Sequence, residues 1–166
     1  QWLNALGATV IGTAGGAEKC ALAKANGYHH VIDYTSTDFE TEVMRLTDGK
    51  GVDVTYDSVG NDTMARSLTS TRRHGTIIAF GQSSGAYLDF KISDLAKGSY
   101  KLSRPTLFHF VGERDWLEEN SAKLFTAVTD GTVDISINQK FPLADVAKAH
   151  DALTGRATTG STILTV

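Results

Sequence analysis

The sequence predicts an α/β fold organised around a parallel β-sheet. From residue 8 onward, short runs of apolar and β-branched residues alternate with helical patterns of about ten residues, which is typical of βαβ units. The first run, residues 9–13, is apolar on both faces, as a buried parallel strand is. Glycines such as Gly27 and Gly81 mark the ends of helices and strands in this alternation.

The first residues predict the end of a helix. Trp2 and Leu6 lie four positions apart, and Gly7 follows at the position where helices commonly end. Because no initiator methionine precedes this helix, we expect that the chain starts inside a longer polypeptide, although a processed N-terminus would give the same sequence.

Apolar spacing predicts the helices that alternate with the strands. In the clearest case, Phe39, Val43 and Leu46 recur at helical spacing and form one apolar face. Thr37 and Glu40 are expected to form a capping box at the start of this helix. The other helices are predicted at residues 17–26, from residue 61 or 62, at 92–97, across a stretch that ends at residue 131, and at 144–153.

β-Branched and apolar runs bounded by turn residues predict the strands. The strands are expected at residues 9–13, 31–34, 52–57, 76–80, 101–104, 137–141 and 161–166. Pro105 ends the fifth of these runs, because proline cannot donate a backbone hydrogen bond within a sheet.

The composition excludes several functional classes. The chain of 166 residues has a net charge of −3 with scattered Lys and Arg residues, so we expect neither a nucleic-acid partner nor a membrane partner. No apolar stretch approaches the roughly 18 residues that span a bilayer, and no signal-peptide pattern is present, which favours a cytoplasmic location. The single cysteine, Cys20, excludes an internal disulfide and a cysteine-rich zinc cluster, and we expect it to be a small buried apolar residue.

The glycine-rich loop at residues 12–19 is the first candidate binding element. Ligands of open parallel sheets bind beyond the carboxyl ends of the strands, and a helix N-terminus offers free N–H groups to an anion. Thr13 and Ala14 lie where NAD-specific enzymes commonly carry a carboxylate that binds the ribose. With no acid before Glu18 and a cation at Lys19, this loop suits the 2′-phosphate of NADP(H), although a plain turn with a solvated lysine has the same sequence.

Two further loops follow apolar strands, at residues 56–60 and 80–85. Their small hydroxyl and amide side chains beside glycine could bind a ribose or a carboxamide without crowding it. Serine–glycine loops are also common turns, so either loop alone is weak evidence.

Two other patterns that could indicate a catalytic or metal site do not match the spacing or the predicted structure that such a site requires. Tyr87 and Lys91 match the Tyr-x-x-x-Lys pair of short-chain dehydrogenases, but they follow Gly85 in an expected loop and not on a long helix. His29 and His30 should point to opposite faces of a strand. With His74, His109 and His150, they share no metal-ligand spacing, so we expect no metal site.

Five segments carry a resemblance to a known family, and they occur in the family's order. These segments are residues 12–19, 56–60, 80–85, 103–105 and 156–160. Together they resemble zeta-crystallin-like quinone oxidoreductases, a zinc-free group of the medium-chain dehydrogenase/reductase superfamily. The similarity extends over essentially the whole chain.

The resemblance implies a Rossmann-like, doubly wound parallel sheet in a two-domain parent with an N-terminal GroES-like catalytic domain. On this basis residues 1–135 form a partial dinucleotide-binding domain, and residues 136–166 return toward the GroES-like domain. The first strand, its glycine-rich pyrophosphate loop and the GroES-like domain are absent from this sequence. Homodimerisation is implied through the sheet edge near residues 101–104.

The resemblance also assigns a cofactor, a reaction and site residues. It implies hydride transfer from NADPH to a quinone or a related α,β-unsaturated carbonyl. Residues matching Gly15, Lys19, Tyr34 and Arg156 hold the 2′-phosphate in that family. The nicotinamide side is lined by the residues matching Ser58, Val59, Gly60, Phe80, Gly81, Ser83 and Ser84. No proton donor is identified, so the catalytic residue is unknown.

The missing strand leads to a structural expectation. In the doubly wound order it lies between the strand at residues 9–13 and the one at 52–57, so its loss leaves a gap with two unpaired edges. We expect the chain either to reorder or swap strands or to be part of a longer protein.

Two alternative functions stay open at this point. One is a dinucleotide-binding or dimerisation module without chemistry. The other, an S-adenosylmethionine methyltransferase, is disfavoured because such enzymes normally carry an acid after the second strand.

Overall fold

The computed structural model describes residues 1–155 and 157–166. Its strands are β1 (Ile11–Ala14), β2 (His30–Asp33), β3 (Val52–Asp57), β4 (Thr71–Ala79), β5 (Lys101–Ser103), β6 (Ile137–Pro142) and β7 (Ser161–Thr165). Its α-helices are α1 (Trp2–Ala5), α2 (Ala17–Ala25), α3 (Phe39–Leu46), α4 (Met64–Thr69), α5 (Leu107–Val111), α6 (Arg114–Thr129) and α7 (Val146–Thr154). Short 3-10 helices cover Ile92–Lys97 and Leu143–Asp145.

Parallel pairing organises these strands into small sheets. β1 pairs with β2, the strands β3, β4 and β5 form a second sheet in that order, and β6 pairs with β7. Helices follow β1, β2 and β3 along the chain, as βαβ units require. The predicted parallel α/β class is therefore confirmed.

The expected gap lies between β1 and β3. Among the residues described, β1 pairs only with β2, and β3 pairs only with β4, so each strand has an open edge. Helix α3 joins the two sides, because its buried Phe39 and Val43 cluster with Ile32 and pack against Ile11 of β1 and Val52 of β3. The side-chain core therefore continues where the backbone ladder is interrupted.

A second core cluster supports the sheet of β3, β4 and β5. Met64 and Leu68 of α4 pack on Ile77 and Ala79 of β4, and Ile77 is completely buried. Leu102 of β5 packs against the same cluster. Burial of these side chains fixes α4 on one face of the sheet.

The start of α3 differs from the predicted capping box. The N-cap is Asp38, whose Oδ2 accepts hydrogen bonds from the backbone N–H of Thr41 (3.0 Å) and its hydroxyl (2.7 Å). Thr37 donates its N–H to the carbonyl of Asp33 and so belongs to the turn after β2. The prediction that Thr37 and Glu40 cap the helix was therefore wrong.

The starts of α4 and β4 differ from the prediction for local reasons. Helix α4 begins at Met64, later than predicted, because residues 61–63 form a turn in which the Thr63 hydroxyl is held by Asp57. Strand β4 begins at Thr71, earlier than predicted, because its pairing with β3 contains a register shift near His74, where φ is +62°. A bulge of this kind interrupts the apolar pattern that marks a strand.

Helix α5 was not predicted. It follows Pro105 and packs on α6 through the rings of Phe110 and Trp116, whose centroids are 5.3 Å apart. No helix in residues 1–155 or 157–166 is long and apolar enough to cross a membrane.

Three further expectations, about Cys20 and about two pairs of residues, can also be compared with the structure. Cys20 is half-buried on α2 and not fully buried, so that expectation was wrong. His29 and His30 do not form a strand pair: His29 precedes β2, where its Nδ1 accepts the N–H of Val10, and both side chains are exposed. Tyr87 and Lys91 lie outside any helix, as expected.

Candidate functional site

The carboxyl ends of β1 and β2 meet side by side, with Ala14 opposite Asp33 in the ladder. The glycine-rich loop after β1 leads directly into α2, whose N-cap is Gly16 with a φ of +86°. This left-handed conformation favours glycine, because a Cβ would strain the backbone there. The loop therefore delivers the N-terminus of α2 to the edge of the sheet where ligands of parallel sheets bind.

Asp33 ties the loop after β1 to the loop after β2. Its Oδ1 accepts the backbone N–H of Gly16 at 3.0 Å, and the N–H and hydroxyl of Thr35 at 3.0 and 2.6 Å. The Thr35 hydroxyl and the N–H groups of Gly16 and Thr35 lower the pKa of Asp33, so this carboxylate is ionised at neutral pH. The loop at residues 12–19 contains no acid before Glu18, but the pairing of β1 with β2 places the Asp33 carboxylate beside it.

Gly15 and Tyr34 are brought together by this arrangement. A Cβ on Gly15 would lie 2.8 Å from the Tyr34 hydroxyl oxygen, which leaves no room for a side chain unless the phenol moves. Tyr34 is 48% exposed, so its hydroxyl is available to a ligand. Lys19 lies in the first turn of α2 and is half-buried. Of the four residues predicted for the 2′-phosphate, three thus lie around the N-terminus of α2, and Arg156 lies outside the described residues.

The negative charge of Asp33 also affects Cys20 on α2. Partial burial and the nearby Asp33 carboxylate raise the pKa of the Cys20 thiol. Cys20 follows Lys19 in the chain, so the electrostatic environment of the first turn of α2 includes this carboxylate.

The carboxyl ends of β3 and β4 form a second group of loops around Asp57. Asp57 is only 4% exposed. Its Oδ1 accepts the N–H groups of Val59 and Gly60, each at 2.9 Å. Its Oδ2 accepts the hydroxyls of Thr63 at 2.8 Å and Ser67 at 2.6 Å. These bonds satisfy a buried carboxylate and fix the backbone of the loop at residues 58–60.

The loop after β4 is bonded to the loop after β3. Ser83 donates its N–H to the carbonyl of Ser58 at 3.2 Å, and Ser84 donates both its N–H and its hydroxyl to the carbonyl of Val59, at 2.9 and 2.8 Å. The hydroxyl of Ser84 also accepts the N–H of Asp62 at 3.0 Å. Ser84 therefore holds the two loops together.

Glycine permits this close approach. A Cβ on Gly81 would overlap the backbone of Ser58, and a Cβ on Gly60 would lie 2.5 Å from the carbonyl oxygen of Gly85. Gly60 also has a φ of +91°. Beside them the ring of Phe80 is 51% exposed. The predicted nicotinamide-side residues are thus brought together as one pair of interlocked loops.

The site residues therefore form two groups, one at the ends of β1 and β2 and one at the ends of β3 and β4. Sequence reasoning did not single out Asp33 or Asp57, although each is the last residue of a strand and is followed by a short turn. An aspartate in that position commonly accepts backbone N–H groups of the next residues, and this signal was available. Their longer-range partners, Gly16 and Ser67, were not visible in the sequence.

Comparison with known proteins places these features in a family. A family model described as zinc-binding dehydrogenase matches residues 1–123. The chain belongs to this zinc-binding dehydrogenase family. It is 42% identical over 165 residues to a 2-haloacrylate reductase from Burkholderia, covering 98% of this chain and 50% of that protein. It is also 42% identical over 167 residues to quinone oxidoreductase 1 from Escherichia coli, covering 99% of this chain and 51% of that protein.

Solved structures of family members have the same fold. The Escherichia coli quinone oxidoreductase in complex with NADPH superimposes with a TM-score of 0.94 at 40% identity, covering 99% of this chain and 52% of that one. The 2-haloacrylate reductase structure superimposes with a TM-score of 0.90 at 42% identity, with the same two coverages. The chain spans about half the length of the curated relatives that it matches. Because it aligns with these structures, the Rossmann-like portion of the predicted fold is confirmed.

The family's name raises the question of zinc. Residues 1–155 and 157–166 contain no group of three or more His, Cys, Asp and Glu side chains placed to hold a metal ion. Structural zinc is held by about four such ligands and catalytic zinc by about three. The described residues do not fit a zinc centre, and no step proposed for them involves zinc.

Proposed function

We propose that this chain is the cofactor-binding part of an enzyme that uses NADPH to reduce a quinone or a related α,β-unsaturated carbonyl. The observation that carries the proposal is the meeting of Gly15, Tyr34 and the first turn of α2 at the ends of two parallel strands. Relatives over the same region include a quinone oxidoreductase whose structure contains NADPH.

The first group of loops suits the 2′-phosphate that distinguishes NADPH from NADH. The N-terminus of α2 presents backbone N–H groups, and Lys19 places an ammonium group in the same turn. The phenol of Tyr34 can donate a hydrogen bond, and Gly15 lets the phosphate approach the backbone. By resemblance, Arg156 adds a second cation.

The second group of loops suits the nicotinamide half of the cofactor. When bound, NADPH supplies the hydride, and the protein binds and orients it. The interlocked backbone at residues 58–60 and 80–84 offers carbonyl and N–H groups at fixed positions, with the exposed ring of Phe80 beside them. Rigid loops of this kind hold a reacting group in one orientation, which is the main contribution expected of this half of an oxidoreductase.

The remaining parts of the proposal concern the whole protein. Residues 1–135 form the dinucleotide-binding unit, and β6, α7 and β7 within residues 136–166 return toward a catalytic domain that supplies the substrate contacts and the proton donor. Strand β5 pairs on one side with β4, and among the described residues its other edge carries no strand. That edge is proposed as the dimer contact.

A fluorescence titration tests the cofactor assignment. The chain is titrated with NADPH and with NADH at two salt concentrations, as wild type, as Lys19→Ala and as Lys24→Ala. Lys24 lies in the last turn of the same helix and is the matched control. We expect tighter binding of NADPH, weakened by salt and reduced about tenfold by Lys19→Ala alone, because one cation near a phosphate contributes on the order of 1–2 kcal/mol.

Equal affinity for the two cofactors would remove the NADPH assignment. A preference for NADPH without any quinone turnover by the full-length protein would instead favour a dinucleotide-binding module without chemistry.

A further inference from the structure

Asp33 lies between the two halves of the proposed phosphate site. Through Oδ1 it holds Gly16, the neighbour of Gly15, and Thr35, the neighbour of Tyr34. Hydrogen bonds to a single carboxylate oxygen therefore help to set the separation between Gly15 and the Tyr34 hydroxyl, beside the backbone bond from the Tyr34 N–H to the carbonyl of Ala14 at 3.2 Å. Loss of that acceptor would loosen both loops.

The same side chain also places a negative charge at the N-terminus of α2. A helix N-terminus attracts anions, and here the N–H of its N-cap residue already donates to Asp33. The three hydrogen bonds keep the carboxylate ionised at neutral pH. A second anion that binds beside it must overcome the repulsion between like charges.

We propose that Asp33 is a specificity-determining residue that positions Gly15 and Tyr34 through Oδ1 while its charge limits the preference for NADPH over NADH. This inference rests on the proposed function, because it assumes that the 2′-phosphate binds at this end of the sheet. The two effects have opposite signs: the hydrogen bonds support binding of either cofactor, and the charge opposes only the one with the extra phosphate.

Two substitutions separate these effects. Asp33→Asn keeps an Oδ1 that can accept the same three hydrogen bonds but removes the charge. Asp33→Ala removes both. The matched control is Asp38→Asn, because Asp38 also accepts a threonine N–H and hydroxyl through one oxygen, but it caps α3.

The readout is the dissociation constant of each cofactor for each variant, measured by fluorescence titration, with thermal unfolding as the check on folding. For Asp33→Asn we expect the Kd of NADPH to fall about threefold to tenfold, with the Kd of NADH changed less than about twofold. For Asp33→Ala we expect both Kd values to rise. For Asp38→Asn we expect the ratio of the two Kd values to stay as in the wild type.

The outcomes distinguish this inference from the function on which it rests. If the wild type prefers NADPH and Asp33→Asn leaves the Kd ratio unchanged or lowers the preference, the role assigned to Asp33 is wrong and the NADPH assignment stands. If the wild type binds the two cofactors equally, or binds neither, the proposed function fails and this inference fails with it. If Asp33→Ala does not fold, Asp33→Asn decides alone.

Discussion

Single aspartates at strand ends organise both groups of loops in this chain. Asp33 and Asp57 are each the last residue of a parallel strand, and each accepts hydrogen bonds from backbone N–H groups and hydroxyls. The two residues differ in burial. Asp57 is almost fully buried, so water cannot replace its carboxylate as the hydrogen-bond acceptor for its partners. Asp33 is half-exposed and can interact with a ligand.

The burial of Asp57 gives a prediction about stability. Asp57→Ala leaves two backbone N–H groups and the Ser67 hydroxyl without their acceptor, so we expect the free energy of unfolding to fall by about 2–5 kcal/mol. Asp57→Asn keeps one acceptor oxygen and should cost less. Urea unfolding measures both.

The control for this measurement is Asp53 on the same strand. Its side chain is 79% exposed and pairs with Arg72, so Asp53→Ala should change stability by less than about 1 kcal/mol. An Asp57→Ala variant as stable as Asp53→Ala would contradict the role assigned to the buried carboxylate.

Helices α2 and α3 differ in how they are attached to the sheets. Helix α3 buries Phe39 and Val43 and joins β1 and β2 to β3, whereas every residue of α2, all of which the structure describes, is half-buried or exposed. Helix α2 therefore packs on β1 and β2 without burying any residue, and the hydrogen bond from Gly16 to Asp33 holds its N-terminus. Contacts from a bound ligand would add more to the stability of α2 than to that of α3.

Hydrogen exchange tests this difference at the level of whole helices. We expect the amides of α2 to exchange faster than those of α3, because protection follows the burial of apolar contacts. Saturating NADPH should slow exchange in α2 and leave α3 nearly unchanged. Equal protection of the two helices without ligand would contradict the difference expected from their burial.

The molecule as a whole carries carboxylates that are stabilised in the folded state. Hydrogen bonds from neighbouring threonines, backbone N–H groups or basic side chains lower the pKa values of several of them. These are Asp33, Asp38, Glu42, Asp94, Glu119 and Asp130.

The direction of these shifts fixes the direction of the pH dependence. The unfolded chain has the usual pKa values of 3.8 for Asp and 4.5 for Glu, so it binds protons before the folded chain does. The stabilisation is therefore fully present above these values and is lost as the pH falls through the lower folded-state pKa values. We expect thermal midpoints to be similar at pH 6 and pH 5.5 and to drop steadily below about pH 4.5.

The Asp38→Asn variant is the control for this pH dependence. Removal of one lowered pKa should make the acid-induced loss of stability smaller. A thermal midpoint that is independent of pH between about 6 and 3 would contradict the assigned shifts.

Much of the fold follows from local patterns in the sequence. The limits of β3 and of the 3-10 helix Ile92–Lys97 match the prediction, because the alternating residues of β3 and the neighbouring glycines Gly51 and Gly98 are local signals. Gly7 and Gly27 end helices with positive φ, as their positions indicated. The α5 helix and the early start of β4 were missed, since short amphipathic turns and a bulge carry no clear periodicity.

The sequence by itself determined the parallel α/β class, the order of the strands, the glycine-rich loops at strand ends and the resemblance that names NADPH. Only the tertiary structure decided what those loops touch: Asp33 reaches Gly16 across 17 positions, Ser84 reaches Val59 across 25, and α3 connects the sheets on both sides of the open edges. Secondary structure depends on neighbours a few residues away, so its pattern is visible in the chain. A hydrogen bond between loops depends on sheet pairing that brings distant residues together. Folding therefore places the Asp33 carboxylate beside a loop whose own sequence has no acid before Glu18.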